Sequence, residues 1–143
     1  MTRSASEDQN RRMLRARDAM DRDYASPLDV AALARIAYVS EAHFIRTFRD
    51  TFGETPHRYL QRRRIERAMR LMRETERPVT QICLDVGFTS LGTFSRTFTA
   101  VVGESPTAYR RRARPYVAPS CFTRSWTRPS SFGEARSARA GLA

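Results

Sequence analysis

The chain repeats itself, and the repeat limits what it can fold into. Shifted by 50 positions, Ser40 falls on Ser90, Phe44 on Phe94, Arg46 on Arg96, Thr47 on Thr97 and Phe48 on Phe98. At the same offset Gly53 meets Gly103, Glu54 Glu104, Pro56 Pro106, Tyr59 Tyr109 and Arg62 Arg112. Identities that dense at one offset imply two copies of one small unit. The stretch ahead of each copy matches at an offset of 49, Leu33 with Ile82 and Ala37 with Val86, so the second copy holds one more residue in its turn.

Apolar residues recur at helical spacing and the β-branched runs of strands are missing, which predicts an all-α, seven-helix fold. A first helix is expected from about Glu7 to Tyr24, burying Met13, Ala16, Met20 and Tyr24, with Ser26-Pro27 as its breaker. The first helix-turn-helix unit covers 29–53. Asp29 caps a short helix with Val30, Leu33, Ala34 and Ala37 inward, Tyr38-Val39 turns, and Ser40 caps a helix with Phe44, Phe48 and Phe52 on one stripe, ending at Gly53. Thr55-Pro56 opens a long linker helix over 56–75, with Tyr59, Ile65, Ala68, Met69 and Met72 facing inward. The second unit covers 79–103: Val79, Ile82, Cys83 and Val86, a turn at Gly87-Phe88, and a helix from Ser90 with Phe94, Phe98 and Val101 inward, ending at Gly103. Ser105-Pro106 starts a last helix carrying Tyr109 and ending near Arg114. The domain is thus read as 7–114, and 115–143, where proline, serine and arginine scatter without a period, as a loosely ordered basic tail.

The 143 residues carry 26 cationic and 15 anionic side chains, a net charge of +11, and every cation is arginine. That length holds one modest core and excludes a large multidomain enzyme. The planar arginine fork suits phosphates and guanine edges, so nucleic acid leads the candidate partners; codon bias and a solvated surface are the alternative source of the arginines. No apolar run approaches the roughly 18 residues that cross a bilayer, and residues 1–25 lack the apolar stretch of a signal peptide. The expectation is a cytoplasmic, nucleoid-associated protein with no membrane partner. Cys83 and Cys121, without paired spacing, and His43 and His57, without cysteine neighbours, support neither a disulfide nor a metal site. No cofactor is expected. Nor is a catalytic Ser/His/Asp cluster, a carboxylate pair or a phosphate-cradling glycine loop present, so no enzymatic role is expected.

A short helix, a tight turn and a second helix make either an ordinary αα-hairpin or a DNA-reading helix-turn-helix. The outward face discriminates. At roughly 100° per residue, the positions opposite the phenylalanine stripe are Ala42, Arg46 and Arg49 in the first copy and Gly92, Arg96 and Thr99 in the second. Each copy aims an arginine away from its core, and arginine on guanine O6 and N7 is the commonest specific base contact. Ile45 flanks Arg46 and can touch a thymine methyl; Thr93 and Ser95 flank Arg96. Gly92 reads either as close backbone approach to DNA or as a tolerated surface glycine. The spacer, at about 1.5 Å per residue, spans roughly 30 Å, close to the ~34 Å of one turn of B-DNA, so one monomer can address two successive major grooves. Arg58, Arg62, Arg63, Arg64, Arg67, Arg70 and Arg73 on the spacer, and Arg110, Arg111 and Arg112 beyond, are candidates for phosphate contact.

The twice-occurring pattern Ser-x3-Phe-x-Arg-x-Phe-x4-Gly-x2-Pro-x2-Tyr, with Gly87-Phe88 before the second copy, resembles the DNA-binding domain of the AraC/XylS family of bacterial transcription regulators over about Glu7 to Arg114. The resemblance implies two helix-turn-helix subdomains on a linker helix, both recognition helices on one face of double-stranded DNA, and control of transcription through RNA polymerase. The length is similar to that of stand-alone members without an effector-binding domain. It implies base-reading positions at Ala42, Ile45, Arg46, Leu91, Gly92, Thr93, Ser95 and Arg96. DNA-backbone contacts are expected from Ser40, Arg49, Arg62, Arg63, Ser90 and Thr99. Tyr38 departs from the glycine usual in the first turn. Three functions follow: a sequence-specific regulator acting as a monomer; a largely non-specific architectural DNA-binding protein; and an adaptor meeting an acidic partner, through a tail carrying Phe122, Trp126 and Phe132.

Overall fold

The computed structural model describes residues 2–113, which fall within one compact unit, Met1–Ala113. The expected tail over 115–143, with Cys121, Phe122, Trp126 and Phe132, and the expected end at Arg114 lie outside the described residues. Seven helices follow in order: α1 (Thr2–Arg22), α2 (Val30–Ala37), α3 (Glu41–Phe52), α4 (Pro56–Glu74), α5 (Val79–Asp85), α6 (Leu91–Val102) and α7 (Pro106–Ala113), with no strand among the described residues. The fold is all-α, as expected.

Local chemistry sets the boundaries. The Asp29, Ser40, Thr55 and Ser90 side chains each accept from an N–H three residues on, at 2.8–3.3 Å, closing four helix N-termini. Pro56 occupies the first turn of α4, where its missing N–H removes no helical bond. Gly53 and Gly103 end α3 and α6 at φ 81° and 95°, a left-handed conformation that disfavours side chains. α1 begins at Thr2 rather than near Glu7, because nothing in the polar stretch ahead breaks a helix, and the Asp8–Arg12 ion pair at 2.9 Å supports that face. It ends at Arg22; Tyr24 lies in the turn beyond, half-buried.

Two cores flank α4. The first joins Met13, Ala16, Met20, Leu33, Ala34, Ala37, Phe44 and Phe48 to Tyr59 and Leu60. The second joins Ile65, Ala68, Met72, Ile82, Cys83, Val86 and Phe88 to Phe94, Phe98 and Tyr109. The aromatic packing is duplicated: Phe44–Phe48 and Phe94–Phe98 centroids lie 5.6 and 5.7 Å apart, and Phe48–Tyr59 and Phe98–Tyr109 meet edge to face at 5.6 Å. At about 1.5–3 kcal/mol for burying each large apolar side chain, the four fully buried phenylalanines are major contributors to both cores.

Val101, expected inside, is 43 % exposed. Val102 packs on the second core instead, as its repeat partner Phe52 packs on the first. The buried stripe keeps a spacing of four to its end, Phe44, Phe48 and Phe52 in α3 and Phe94, Phe98 and Val102 in α6, which leaves Val101 on the open side. Met69 and Val79, also expected inside, are half-buried at the edge of the second core.

Candidate nucleic-acid interface

The two turns are built alike. Val39 N–H donates to Ala34 O and Tyr38 N–H to Arg35 O; Phe88 and Gly87 repeat both bonds to Cys83 O and Leu84 O, all four at 3.0–3.1 Å. These paired bonds reverse the chain through one left-handed residue, Tyr38 at φ 58° and Gly87 at φ 103°. Tyr38 is 72 % exposed, and its side chain projects into solvent. Gly87 has no such room: a Cβ there would lie 3.0 Å from Arg64 Nε and 3.1 Å from the Ala25 backbone. The extra residue of the second copy is Thr89, inserted before Ser90.

Each turn delivers a twelve-residue helix with its phenylalanines inward. On α3, Ala42, Ile45, Arg46 and Arg49 are exposed; on α6, Leu91, Gly92, Arg96 and Thr99 are exposed, with Thr93 and Ser95 half-buried beside them. The side chains expected to read bases therefore stand on the open faces of α3 and α6. Arg96 lies back along its helix: Nη2 donates to Thr93 Oγ1 at 3.4 Å, and Nη1 is 3.4 Å from where a Cβ on residue 92 would sit. The Thr99 hydroxyl donates to Ser95 O at 2.8 Å. Ser40 and Ser90 accept capping N–H groups from His43 and Thr93.

The linker arginines divide. Arg62 bonds Glu54 at 2.6 Å and Glu66 at 2.7 Å and lies over the Tyr59 ring; Arg63 bonds Asp21 at 3.0 Å and Glu66 at 2.8 Å. Hydrogen bonding to Glu54 drives the Arg62 pKa upward; desolvation opposes the rise at Arg63, but Asp21 and Glu66 outweigh it. Both remain partly exposed, though their strongest donors are already committed within the protein. The Tyr59 hydroxyl donates to Asp21 at 2.8 Å, and burial, with that carboxylate, pushes its pKa up to about 12. Arg112 repeats the Arg62 arrangement, bonding Glu104 at 2.5 Å and lying over Tyr109. Arg110, expected to be available for phosphate, caps the end of α4 by donating to Met72, Thr75 and Arg77 carbonyls.

Residue spacing did not bring out one grouping. His57, Arg58, Gln61 and Arg62 from the start of α4 line a cleft of about 480 Å³ with Arg96, Thr97, Ala100 and Val101 of α6. His57 and Arg58 thereby join Arg96 in one basic depression; the only sequence signal for this was their place in the first turn of the linker helix. Among the described residues no cluster could hold a metal ion, and no helix is long and apolar enough to cross a membrane.

A family model described as a helix-turn-helix domain matches residues 33–112. Regulatory protein SoxS of Salmonella typhimurium is 33% identical over 93 residues, 65% of this chain and 87% of SoxS. The chain spans only 22–27% of three longer curated relatives. Among solved structures, a probable AraC family transcriptional regulator from Rhodopseudomonas palustris is 25% identical with a TM-score of 0.67, covering 73% of this chain and 99% of that one. The DNA-binding domain of AdpA, a global transcriptional factor solved in complex with a target DNA, is 32% identical with a TM-score of 0.61, covering 65% and 83%. With two helix-turn-helix units on one linker helix and an arginine at the same register of each second helix, the chain belongs to the AraC/XylS family of DNA-binding transcription regulators, not to an enzyme family.

Proposed function

We propose that residues 7–114 form a sequence-specific reader of double-stranded DNA that inserts α3 and α6 into successive major grooves as a monomer and regulates transcription through contact with RNA polymerase. The observation that carries this reading is the outward register: Arg46 and Arg96 are exposed at equivalent positions of two helices attached to one spacer. The spacer α4 has 19 residues, about 28 Å at ~1.5 Å per residue, close to the ~34 Å pitch that separates successive grooves. Ala42, Ile45, Leu91, Gly92, Thr93 and Ser95 surround the two arginines as the floor-facing residues. Ser40, Ser90, Arg49 and Thr99 take the backbone, with the uncommitted N–H groups of Arg62 and Arg63. The resemblance to the AdpA domain, itself bound to a target DNA, supports the same mode here.

Selection of bound fragments from random DNA tests it: two sequence blocks about one helical turn apart are expected. On the selected site, Arg46→Ala and Arg96→Ala should each lose roughly 1–3 kcal/mol of binding and much less on random DNA. Equal losses on both DNAs would reject base reading by these arginines. The architectural alternative draws on Ala42 and Gly92, which offer no side-chain hydrogen bond. Competition against bulk DNA separates the two, since a specific reader favours its site by about a thousandfold or more.

A further inference from the structure

Arg64 is unlike the other arginines of the linker. It is half-buried, and its guanidinium serves backbone rather than carboxylate: Nε donates to Tyr24 O at 2.6 Å and Nη2 to Ser26 O at 2.8 Å, with Nη1 to Gln61 Oε1 at 3.4 Å. Desolvation lowers its pKa, since burial disfavours the cation. Its other face lies 6.0 Å above the Phe88 ring, in the turn of the second helix-turn-helix. Gly87, beside that ring, comes so close that an added Cβ would strike Arg64 Nε and the Ala25 backbone. Tyr24, whose carbonyl Arg64 holds, packs against both cores.

Arg64 therefore touches three things at once: the chain leaving α1, which belongs to the first subdomain; the linker helix that carries it; and the turn that launches α6. Otherwise α1 and α3 pack on α4, with α2 against both of them, and α5, α6 and α7 pack on α4 separately; the first core takes Tyr59 and Leu60 of α4, the second Ile65, Ala68 and Met72. A joint that rested on α4 alone would let the second unit rock. A guanidinium with planar donors fixed to two carbonyls, closed over by a ring and a glycine that admits no side chain, resists rocking.

We propose that Arg64, seated against Gly87, is a positioning residue that fixes the angle between the two recognition helices and so sets the spacing between the two sequence blocks the protein accepts. The inference rests on the two-groove reading for its consequence on DNA but not for the joint itself. One inserted base pair turns the second groove by about 35°, which a rigid joint refuses and a loose one tolerates.

Two measurements test it on the 143-residue chain. The first uses the DNA selected by the wild-type protein and derivatives with one base pair added or removed between the blocks. Wild type should lose roughly tenfold or more per inserted base pair, whereas Arg64→Met should lose less than about threefold, with affinity for each isolated block unchanged. The second needs no DNA. Spin labels at Asp50→Cys and Ala100→Cys, in a Cys83→Ala, Cys121→Ser background, should give one narrow distance in wild type and a broadened distribution in Arg64→Met. A folded Arg64→Met protein with the wild-type spacing penalty and distance width would overturn the proposal. Should Arg64→Met not fold, Gly87→Ala is read by the same two assays, and unchanged values there overturn it equally. A wild-type protein without a preferred block spacing would instead sink the two-groove reading, while the label distances still decide the role of Arg64.

Discussion

Tyr38 holds a backbone conformation that costs an L-residue about 1–2 kcal/mol, whereas its counterpart is a glycine. The difference is spatial. The side chain of Tyr38 has open solvent around it, so only torsional strain opposes it; at Gly87 the same strain would be joined by collision with Arg64 and Ala25. Arg12 Nη1 donates to the Tyr38 carbonyl at 3.0 Å and helps hold the strained peptide in place. Tyr38→Gly should therefore raise stability by about 0.5–1 kcal/mol in denaturant unfolding, the relief of strain less the entropy of a freer unfolded glycine. A loss of stability would show that the exposed ring makes contacts its solvent exposure does not suggest. At Gly92 an added Cβ would make only ordinary contacts, with Arg96 Nη1 at 3.4 Å and Ser90 Oγ at 3.7 Å, so packing within the protein does not require glycine there.

The elements reproduce one design twice, and the caps show how one side chain meets two demands. Ser40 and Ser90 close the N-termini of α3 and α6 and are also proposed to meet the DNA backbone. Ser40→Ala and Ser90→Ala should each cost about 1 kcal/mol of stability through the lost cap. Ser40→Asp and Ser90→Asp keep a capping oxygen, so stability should be retained while affinity for every DNA falls, because a carboxylate then faces phosphate. Retained affinity in the aspartate variants would remove these serines from the interface. The Glu54–Arg62–Tyr59 and Glu104–Arg112–Tyr109 groups are the other duplicated device. Each ties the loop after α3 or α6 to the helix that follows, which commits most of the Arg62 donors within the protein.

For the whole molecule, the question is how a net charge of +11 is distributed. Asp21, Glu54 and Glu66 pair with Arg62 and Arg63 at the partly exposed surface of α4, and Arg64, like Arg110 of α7, donates to backbone carbonyls, so much of the linker's charge is structural. The exposed arginines of α3 and α6 are the ones proposed to act on DNA. Arg49→Ala should weaken binding to selected and random DNA alike and reduce the slope of log K against log salt by about one, the signature of one lost phosphate contact. An unchanged slope would place Arg49 off the backbone.

The caps, the proline at the start of α4 and the phenylalanine stripes were legible because each depends on residues within one or two turns of each other, and the repeat because identity at a fixed offset of 50 positions is written in the chain itself. Helix number, both turns and the outward faces of α3 and α6 followed from that local information. Which arginines stay available did not, because Arg63, Arg64 and Arg110 are claimed by groups that only the packing brings near, such as Asp21 from 42 positions away and the Tyr24 carbonyl from 40; Arg62 is held by nearer residues, Glu54 and Glu66, eight and four positions away. Charge is written residue by residue along the chain, but whether a charge faces solvent, a carboxylate or a buried carbonyl is decided by distances through space, and only the folded chain sets those.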